Sequence, residues 1–470
     1  MSHLRYVIAI PVLLLTVAGC DLLGDDTTPG PGEVGDISFS RHIQTTFANQ
    51  CTSCHAGDDA AGGLQLDSWL HTITGSDFGE ALIPFDGDHS RMIALFEGNA
   101  HPGNVSISDD ELGLLKRWVN EGARDDNGNV PFESAADLVY VANQGDATVS
   151  IIDPVAGVVA RHIHLEDFGF GSTAKPHHVA VEPDGSAWYV SLIGENRVLK
   201  ISRGNVLLDE AVVEAPGLLA LNPANGRLYV GRSLTAVNPP SSLVEIRRAD
   251  MAVTEIQTVF PRPHALALSH STNALFSASL DVDQFFSIAT SSRDVTISSI
   301  GGQEHAFVQF AARPGAHELW GTGQLSDQVT IFDISNPLAV VQRQSVRVGA
   351  DPWHLTFTPD GESAYVNNLA AHQVTVFRGD TATIRKVIEG NGLAQPHGIA
   401  VSRDGSTIFV SNRNENGTYV ERGPRIGGDH APGTVVLIDT ATNTIRKILE
   451  VGRTPAGIGS AVVVPITAGN

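Results

Sequence analysis

Cysteine, methionine and basic residues are scarce in this chain of 470 residues. It has three cysteines and three methionines, and its 30 lysines and arginines face 52 acidic residues, for a formal net charge of −22. Three cysteines leave little room for a disulfide framework. The shortage of positive charge argues against nucleic acid and anionic membrane surfaces as partners. No nucleophile elbow, phosphate loop, zincin helix or convincing catalytic triad is visible, so no hydrolase or transferase motif is present.

Two of the cysteines belong to the motif Cys51-Thr52-Ser53-Cys54-His55. Cys-x-x-Cys-His is the attachment signature of c-type haem, in which two thiols bind the haem covalently and the histidine is the proximal iron ligand. A redox Cys-x-x-Cys pair would need a βαβ context, and a zinc site would need a second Cys/His pair at ligand spacing. Neither is visible. The sequence therefore predicts one haem c on Cys51 and Cys54, with His55 as an axial ligand.

The third cysteine, Cys20, follows an N-terminal segment typical of bacterial export. Arg5 precedes an apolar stretch, residues 7–17, that is too short and too broken for a stable transmembrane helix. Ala18 and Gly19 before Cys20 resemble a bacterial lipoprotein cleavage site, which implies a lipid on the Cys20 sulfur; an ordinary export signal is the alternative. We expect an exported protein, anchored to a bacterial membrane through this lipid alone, on the periplasmic or cell-surface side.

Helical patterns flank the haem motif. Phe39, Ile43 and Phe47 form one apolar helical face that leads into it. Further along, Ser108 and Glu111 form an S-x-x-E capping box at the start of another helix. The apolar residues of that helix are Leu112, Leu115, Trp118 and Val119. These patterns predict a small all-α domain whose helices pack around the haem.

The same region resembles a family of small cytochrome c domains found in large multidomain bacterial proteins. The matching pieces are residues 51–55, 62–66, 107–112 and 115–123. The resemblance implies a cytochrome c fold.

The sixth iron ligand is the open question in this domain. In the family that the domain resembles, a Met-Pro-Pro stretch before the last helix usually supplies it, and the corresponding residues here, 100–103, read Ala-His-Pro-Gly. The resemblance therefore places His101 at the sixth position. Met92 is the second choice, and His89 and His71 are further alternatives. An imidazole should lower the reduction potential relative to a thioether, whereas an open position would allow ligand binding or peroxide chemistry.

Beyond the haem region the pattern changes to short strands with turn signals, and internal repeats become visible. The clearest unit reads Pro-His-x-x-Ala-x-x-x-Asp-Gly and continues into two further strands. Copies begin at Pro176, Pro216, Pro263, Glu304, Pro352, Pro396 and Pro455. Units of about 40–50 residues with four strands are β-propeller blades. The array begins with a second strand and ends with an unpaired first strand, so we expect these halves to join and close a ring of seven blades.

The second strands of the repeats, such as Tyr365-Val366-Asn367-Asn368, resemble the Tyr-Val-Thr-Asn family of bacterial propellers. Histidines also recur just before the innermost strands. Five of the seven corresponding positions are predicted to be occupied by His177, His264, His305, His354 and His397.

These histidines should therefore ring one mouth of the central channel, which we call the hub. Converging imidazoles can bind copper, zinc or iron. The arrangement resembles the histidine-lined hub of nitrous oxide reductase, which implies copper or another metal. Gly217 and Ala456 break the ring, however, and no Cys-bearing copper domain follows. The alternative is a turn element whose imidazoles bond backbone groups around the channel.

The predicted organisation is multidomain: a signal peptide (1–19), a flexible tether (20–35), an all-α cytochrome c domain (36–127), a linker (128–136) and an all-β seven-bladed β-propeller (137–465). The first functional hypothesis is electron transfer through the haem, with the propeller docking a redox partner protein or a small-molecule substrate. The second is an oxidoreductase with a metal or second cofactor at the hub, supplied with electrons by the haem. The third is a surface-binding scaffold.

Overall fold

Four α-helices precede seven β-sheets in a computed structural model that describes residues 37–103, 105–233, 238–421 and 431–461. The predicted signal, the lipidation site Cys20 and the tether lie outside these residues. No helix in the described ranges is long and apolar enough to cross a membrane.

The helical region packs its first and last helices against each other. A π-helical turn, Phe39–Ile43, runs into the first α-helix, and Phe39 and Phe47 are both buried. The helices, α1 to α4 in chain order, are Gln44–Gln50, Trp69–Ile73, Arg91–Glu97 and Asp109–Asn120. The ring centroids of Phe39 and Trp118 lie 5.6 Å apart, so the N-terminal turn contacts α4 directly.

The predicted capping box is present at the start of α4. The Ser108 hydroxyl accepts a hydrogen bond from the Glu111 amide, and the Glu111 carboxylate accepts one from the Ser108 amide at 2.9 Å. This satisfies two backbone donors that would otherwise lack partners at the helix start. Leu115, Trp118 and Val119 are buried as the periodicity predicted, which leaves α4 anchored beside the haem motif.

Seven four-stranded antiparallel sheets follow, which confirms the predicted propeller. Strands β1 to β14 are Val139–Asn143, Thr148–Asp153, Val158–His164, Pro176–Val181, Ala187–Leu192, Arg197–Ser202, Leu207–Val212, Pro216–Asn222, Arg227–Arg232, Ser242–Arg247, Ala252–Gln257, Pro263–Ser269, Ala274–Ser279 and Gln284–Ala289. Strands β15 to β28 are Val295–Ser299, Phe307–Ala312, Glu318–Gly323, Gln328–Asp333, Val341–Arg347, Pro352–Phe357, Ser363–Asn368, Gln373–Arg378, Ile384–Ile388, Pro396–Val401, Thr407–Asn412, Gly433–Asp439, Thr444–Val451 and Pro455–Ser460.

One blade joins the two ends of the repeat array. Its strand order is β28-β1-β2-β3, so the last strand of the propeller pairs with the first. The register sets Tyr140 opposite Gly459 and Val141 opposite Ile458. Closure of this kind pairs the two sheet edges that an open array would expose.

The first strand of each blade lies innermost, because β28, β4, β8, β12, β16, β20 and β24 contact one another around the ring. The second and third strands are buried on both faces, since large side chains fill the space between adjacent blades. Tyr140 of one blade stacks on Trp188 of the next, with 5.0 Å between ring centroids. Trp320 packs edge-on against Phe357 and Phe377 of the following blade. Because the seven first strands surround the channel, the residues at their starts lie at one mouth of it.

Candidate functional site

The haem motif opens onto a cavity of about 460 Å³ in the helical region. Cys51, Cys54 and His55 line one side, and His101 and Met92 line the cavity as well. Its remaining wall contains Leu64, Leu66, Phe78, Ala81, Leu95, Phe96 and Val105. An apolar cavity of this size suits a large, flat cofactor. The structure thus brings both predicted attachment cysteines, the predicted proximal ligand and both leading candidates for the sixth ligand into one space.

His55 and His101 face each other across this cavity. Their ring centroids are 5.9 Å apart, and their planes meet at 79°. A metal–nitrogen bond of about 2 Å, plus about 1 Å from that nitrogen to the ring centre, on each side gives a separation of about 6 Å for two imidazoles on one metal ion. The observed separation therefore fits an iron atom held between these two rings.

Hydrogen bonds determine which nitrogen each ring can offer. The Nδ1 of His55 lies 3.3 Å from the Leu64 carbonyl oxygen, to which it can donate only when protonated; this leaves the Nε2 lone pair for iron. The Nδ1 of His101 accepts a hydrogen bond from the Gly103 amide at 3.2 Å. Iron binding through Nε2 of His101 therefore requires the other tautomer and the release of this bond. The His101 ring stacks on Phe96, which holds its plane in place.

Burial and neighbouring side chains shift the pKa of two groups that line the cavity. Burial and the proximity of His55 lower the pKa of His101, so its imidazole is neutral at pH 7, as a metal ligand must be. Burial and the Glu111 carboxylate raise the pKa of the Cys51 thiol to about 11. Cys51 is buried, whereas Cys54 is exposed.

The two weaker sixth-ligand candidates lie elsewhere. His71 is exposed and pairs with Asp67 at 2.5 Å. His89 contacts Asp86 at 2.7 Å and does not line the cavity. Neither imidazole lines the cavity that contains His55 and His101.

The wall of the haem cavity also contacts the propeller, because residues 38–470 form one unit. Arg91 at the start of α3 lines the cavity and pairs with Glu450 on β27 at 2.5 Å. Ile83 packs in a cluster with residues of β1, β3 and β27. The Arg161 guanidinium on β3 lies over the Phe85 ring, 4.5 Å from its centroid. The cytochrome domain is therefore fixed to the first and last blades.

Glu80 is a partly buried residue in this interface. It accepts a hydrogen bond from the Val159 amide on β3 at 3.1 Å, and burial raises its pKa from 4.5 to about 7, against the opposing effect of Arg91. The folded protein therefore binds this proton more tightly than the unfolded chain does. The free energy of unfolding must fall as the pH rises from about 4.5 to about 7.

We expect Glu80→Gln to flatten this pH dependence and to raise the free energy of unfolding at pH 8 by about 1–3 kcal/mol, because the amide keeps the acceptor for Val159 and buries no charge. Denaturant titrations at pH 5 and pH 8 measure the effect. Glu97→Gln is the matched control, since Glu97 is half-exposed on α3 and pairs with Lys116; it should change the free energy by less than about 0.5 kcal/mol. Parallel pH profiles for Glu80→Gln and the wild type would contradict the assignment.

The predicted hub histidines converge only in part. His177 lies 6.2 Å from His264 and 6.0 Å from His397, and His354 lies 5.1 Å from His397, between ring centroids. His305 is separate: its ring stacks on Phe307 and its Nδ1 lies 2.9 Å from the Ser326 hydroxyl. His354 is also one residue further along its repeat than expected, since Trp353 follows Pro352. Its position corresponds to that of His178, whose ring lies 6.0 Å away.

The four converging hub histidines, which are His177, His264, His354 and His397, are buried and uncharged. Each has one buried ring nitrogen without a hydrogen-bond partner in the structure. Burial and the neighbouring imidazoles hold the pKa of His177 and His354 well below the usual range, and burial lowers that of His264 to about 4. The guanidinium of Arg413 adds to this effect on His177 and His397. The hub therefore presents neutral imidazoles beside a positive charge.

Sequence reasoning missed another cluster of histidines, between the two domains. The Asp86 carboxylate contacts His89, His162 and His164, and burial alone would raise its pKa, but these hydrogen bonds hold it well below its usual range. The signal in the sequence was His162-Ile163-His164, which places two imidazoles on one face of a strand. The partner Asp86 comes from a distant segment, so the sequence alone did not connect them.

A helical haem-motif domain followed by a closed ring of seven blades defines the class of this protein: a cytochrome c domain, which implies haem c, fused to a seven-bladed β-propeller. Residues 51–98 match the family Planctomycete cytochrome C, and residues 205–422 match the family Lactonase, 7-bladed beta-propeller. The predicted fold class is confirmed. The relation to the Tyr-Val-Thr-Asn family stays a prediction.

Solved structures share the propeller at low sequence identity. The periplasmic gluconolactonase PpgL of Pseudomonas aeruginosa is 18% identical with a TM-score of 0.54, over 70% of this chain and 99% of that one. A functionally unknown protein of Desulfotomaculum acetoxidans is 13% identical with a TM-score of 0.54, over 69% of this chain and 99% of that one. No curated protein matches the chain. Similarity at this level shows the fold alone.

Proposed function

We propose that this chain is an extracytoplasmic electron-transfer protein with one haem c, and that His55 and His101 are the two axial ligands of its iron. The observation that carries the proposal is the facing pair of imidazoles, 5.9 Å apart, across the cavity beside Cys51 and Cys54. When bound, the haem supplies a one-electron couple. The chain supplies two imidazoles and an apolar enclosure.

A carrier needs both axial positions filled, since a closed coordination sphere excludes oxygen and peroxide and changes little between oxidation states. His55 offers Nε2 because Leu64 accepts its other proton, and Phe96 holds the His101 ring. The cavity wall reaches the propeller through the pair Arg91–Glu450. The propeller then serves to dock a redox partner protein or a small-molecule substrate.

The proposed location rests on two supports. Covalent haem c is attached outside the cytoplasm, and the N-terminal segment has the pattern of an export signal. Lipid attachment at Cys20 belongs to the same proposal and rests on the sequence pattern alone.

A second candidate is an oxidoreductase with a metal or other cofactor at the hub. The four buried ring nitrogens without partners favour it, because a buried polar atom without a hydrogen bond is costly unless a ligand or water satisfies it. The positive charge of Arg413, which lies close enough to act on His177 and His397, opposes a metal ion there. The distances between the ring nitrogens of the hub also oppose it. Among the described residues, the one group of three whose ligand atoms lie within 4.8 Å of one another is Asp86, His89 and His162, away from the hub.

A spectroscopic redox titration of the intact protein, combined with full metal and cofactor analysis, separates these functions. We expect a single one-electron transition, low-spin spectra in both states, and no copper, zinc or iron at the hub. The matched control is His305→Ala, because His305 lies outside the converging group. Metal that the wild type and His305→Ala bind, but that His354→Ala does not, would instead support the hub enzyme. Hydrolysis of gluconolactone by the intact protein would favour a lactonase and contradict the carrier.

A further inference from the structure

The contact between the cytochrome domain and the propeller contains a buried carboxylate enclosed by imidazoles. Asp86 is 6% exposed. Its Oδ1 lies 2.7 Å from Nδ1 of His89, and its Oδ2 lies 3.0 Å from Nδ1 of His162 and 3.2 Å from Nε2 of His164. In the described part of the chain these imidazoles are the side-chain hydrogen-bond partners of this carboxylate, and none of the four residues lines the haem cavity.

Rigid backbone holds both halves of this cluster. His162 and His164 alternate along β3, so their side chains leave the same face of the strand. On the other side, the buried hydroxyl of Ser90 donates to the Asp86 carbonyl oxygen at 2.8 Å and accepts from the Ile83 amide at 2.8 Å. Hydrogen bonds among residues 83, 86 and 90 therefore stabilise the loop that carries Asp86 and His89, immediately before α3.

The side chains in contact with this carboxylate are imidazoles. Lys116 pairs with Asp88 at 2.6 Å rather than with Asp86. Imidazole nitrogens and a carboxylate oxygen are common ligands of zinc, so the cluster contains the donor atoms that a zinc site needs.

The structure assigns a Zn²⁺ site to Asp86, His89 and His162, with His164 beside it in contact with Asp86. The ligand atoms of the first three lie within 4.8 Å of one another. A tetrahedral zinc ion with bonds of about 2.0 Å places its ligand atoms about 3.3 Å apart. The Nδ1 of His89 lies 2.7 Å from Oδ1 of Asp86, and the Nδ1 of His162 lies 3.0 Å from Oδ2. Zinc binding therefore requires both imidazoles to release these hydrogen bonds and to move away from the carboxylate by about 0.3–0.6 Å. Imidazole nitrogens with one carboxylate suit zinc, whereas calcium and magnesium prefer all-oxygen sites.

Such a site would link the cytochrome domain to the propeller next to the helix that forms one wall of the haem cavity. Two ligands, Asp86 and His89, come from the cytochrome domain, and the third, His162, comes from the first blade. The next residues along the chain form α3, whose Met92, Leu95 and Phe96 line the haem cavity. Bound zinc would therefore fix one wall of that cavity relative to the propeller.

Calorimetric titration of untagged, haem-loaded, chelator-treated full-length protein with zinc chloride tests the site, with zinc counted by elemental mass spectrometry. We expect one zinc per haem, bound with micromolar or tighter affinity, and a rise of a few degrees in the unfolding temperature that a chelator reverses. Asp86→Asn and His162→Gln should weaken zinc binding at least 100-fold. His89→Gln, at a half-exposed position that tolerates substitution, should weaken it at least tenfold.

Two controls distinguish this site from others. His71→Gln removes an exposed imidazole that pairs with Asp67 in the same domain, and it should bind zinc as the wild type does. His354→Gln removes a hub imidazole and should also leave the titration unchanged. The assignment is overturned if the wild type binds no zinc, if His89→Gln and His162→Gln bind it unchanged, or if His354→Gln abolishes binding.

Discussion

His101→Ala is expected to convert the haem of this protein from a six-coordinate, low-spin form to a five-coordinate, high-spin form. His101 is the imidazole that faces His55 across the cavity, so its removal leaves the second axial position without a protein ligand. Carbon monoxide should then bind the reduced variant, whereas the wild type should exclude it. Absorption spectra of both oxidation states, with and without carbon monoxide, measure the change.

His101→Met should retain six-coordination and raise the reduction potential by on the order of 0.1–0.3 V, a fraction of the about 0.8 V range that axial ligands span, because a thioether stabilises the reduced iron relative to imidazole. Met92→Leu is the matched control, since it replaces the other candidate sulfur in the same cavity at nearly constant volume. A spectral change in Met92→Leu with none in His101→Ala would make Met92 the ligand. If neither variant changes the spectrum, both assignments are wrong.

Gly457→Ala is expected to cause a large loss of propeller stability. Gly457 lies on β28, the strand that closes the ring, where this strand meets β4 of the next blade. A Cβ atom at this position would lie 2.7 Å from the Cα of His178 and would also meet the carbonyl oxygen of His177. Both are backbone atoms in a strand, which cannot move aside without separating two blades.

We expect Gly457→Ala to cost about 3 kcal/mol, the upper end of the usual overpacking penalty, and to lower the unfolding temperature by about 5 °C or more. Gly171→Ala is the matched control in the same propeller, because Gly171 is exposed and nothing lies within 4 Å of its added Cβ. Thermal unfolding followed by circular dichroism compares the two. Equal unfolding temperatures would show that the contact between β28 and β4 does not limit stability.

The cytochrome domain contacts the propeller chiefly at the first and last blades, next to the point where the ring closes. The first blade is built from both ends of the array and also carries β3, which supplies His162, His164 and the Val159 amide to the cytochrome domain. β27 of the last blade supplies Glu450 to Arg91. The cytochrome domain therefore rests on the place where the ring closes, which is the part of a propeller most dependent on long-range pairing.

Local patterns in the sequence were enough to predict the haem motif, the capping box of α4, the number of blades and the composite first blade. Each depends on residues close together in the chain, or on a repeat whose geometry is the same in every copy. The repeat pattern was a poorer guide to the side chains of the hub. Five histidines were expected to be equivalent, but Trp353 displaces His354 by one residue, and His305 turns to Phe307 and Ser326.

By itself, the sequence predicted a haem attachment site at two thiols and His55, and it predicted the closed ring of β-blades that the structure contains, because covalent motifs and periodic strand patterns are local properties of the chain. Only the tertiary structure decided that His101 faces His55, and that Asp86 meets three imidazoles at the boundary between the domains. The physical reason is the same in both cases: these side chains are distant along the chain, and only packing of the helical domain and of the first blade against it brings them within bonding distance.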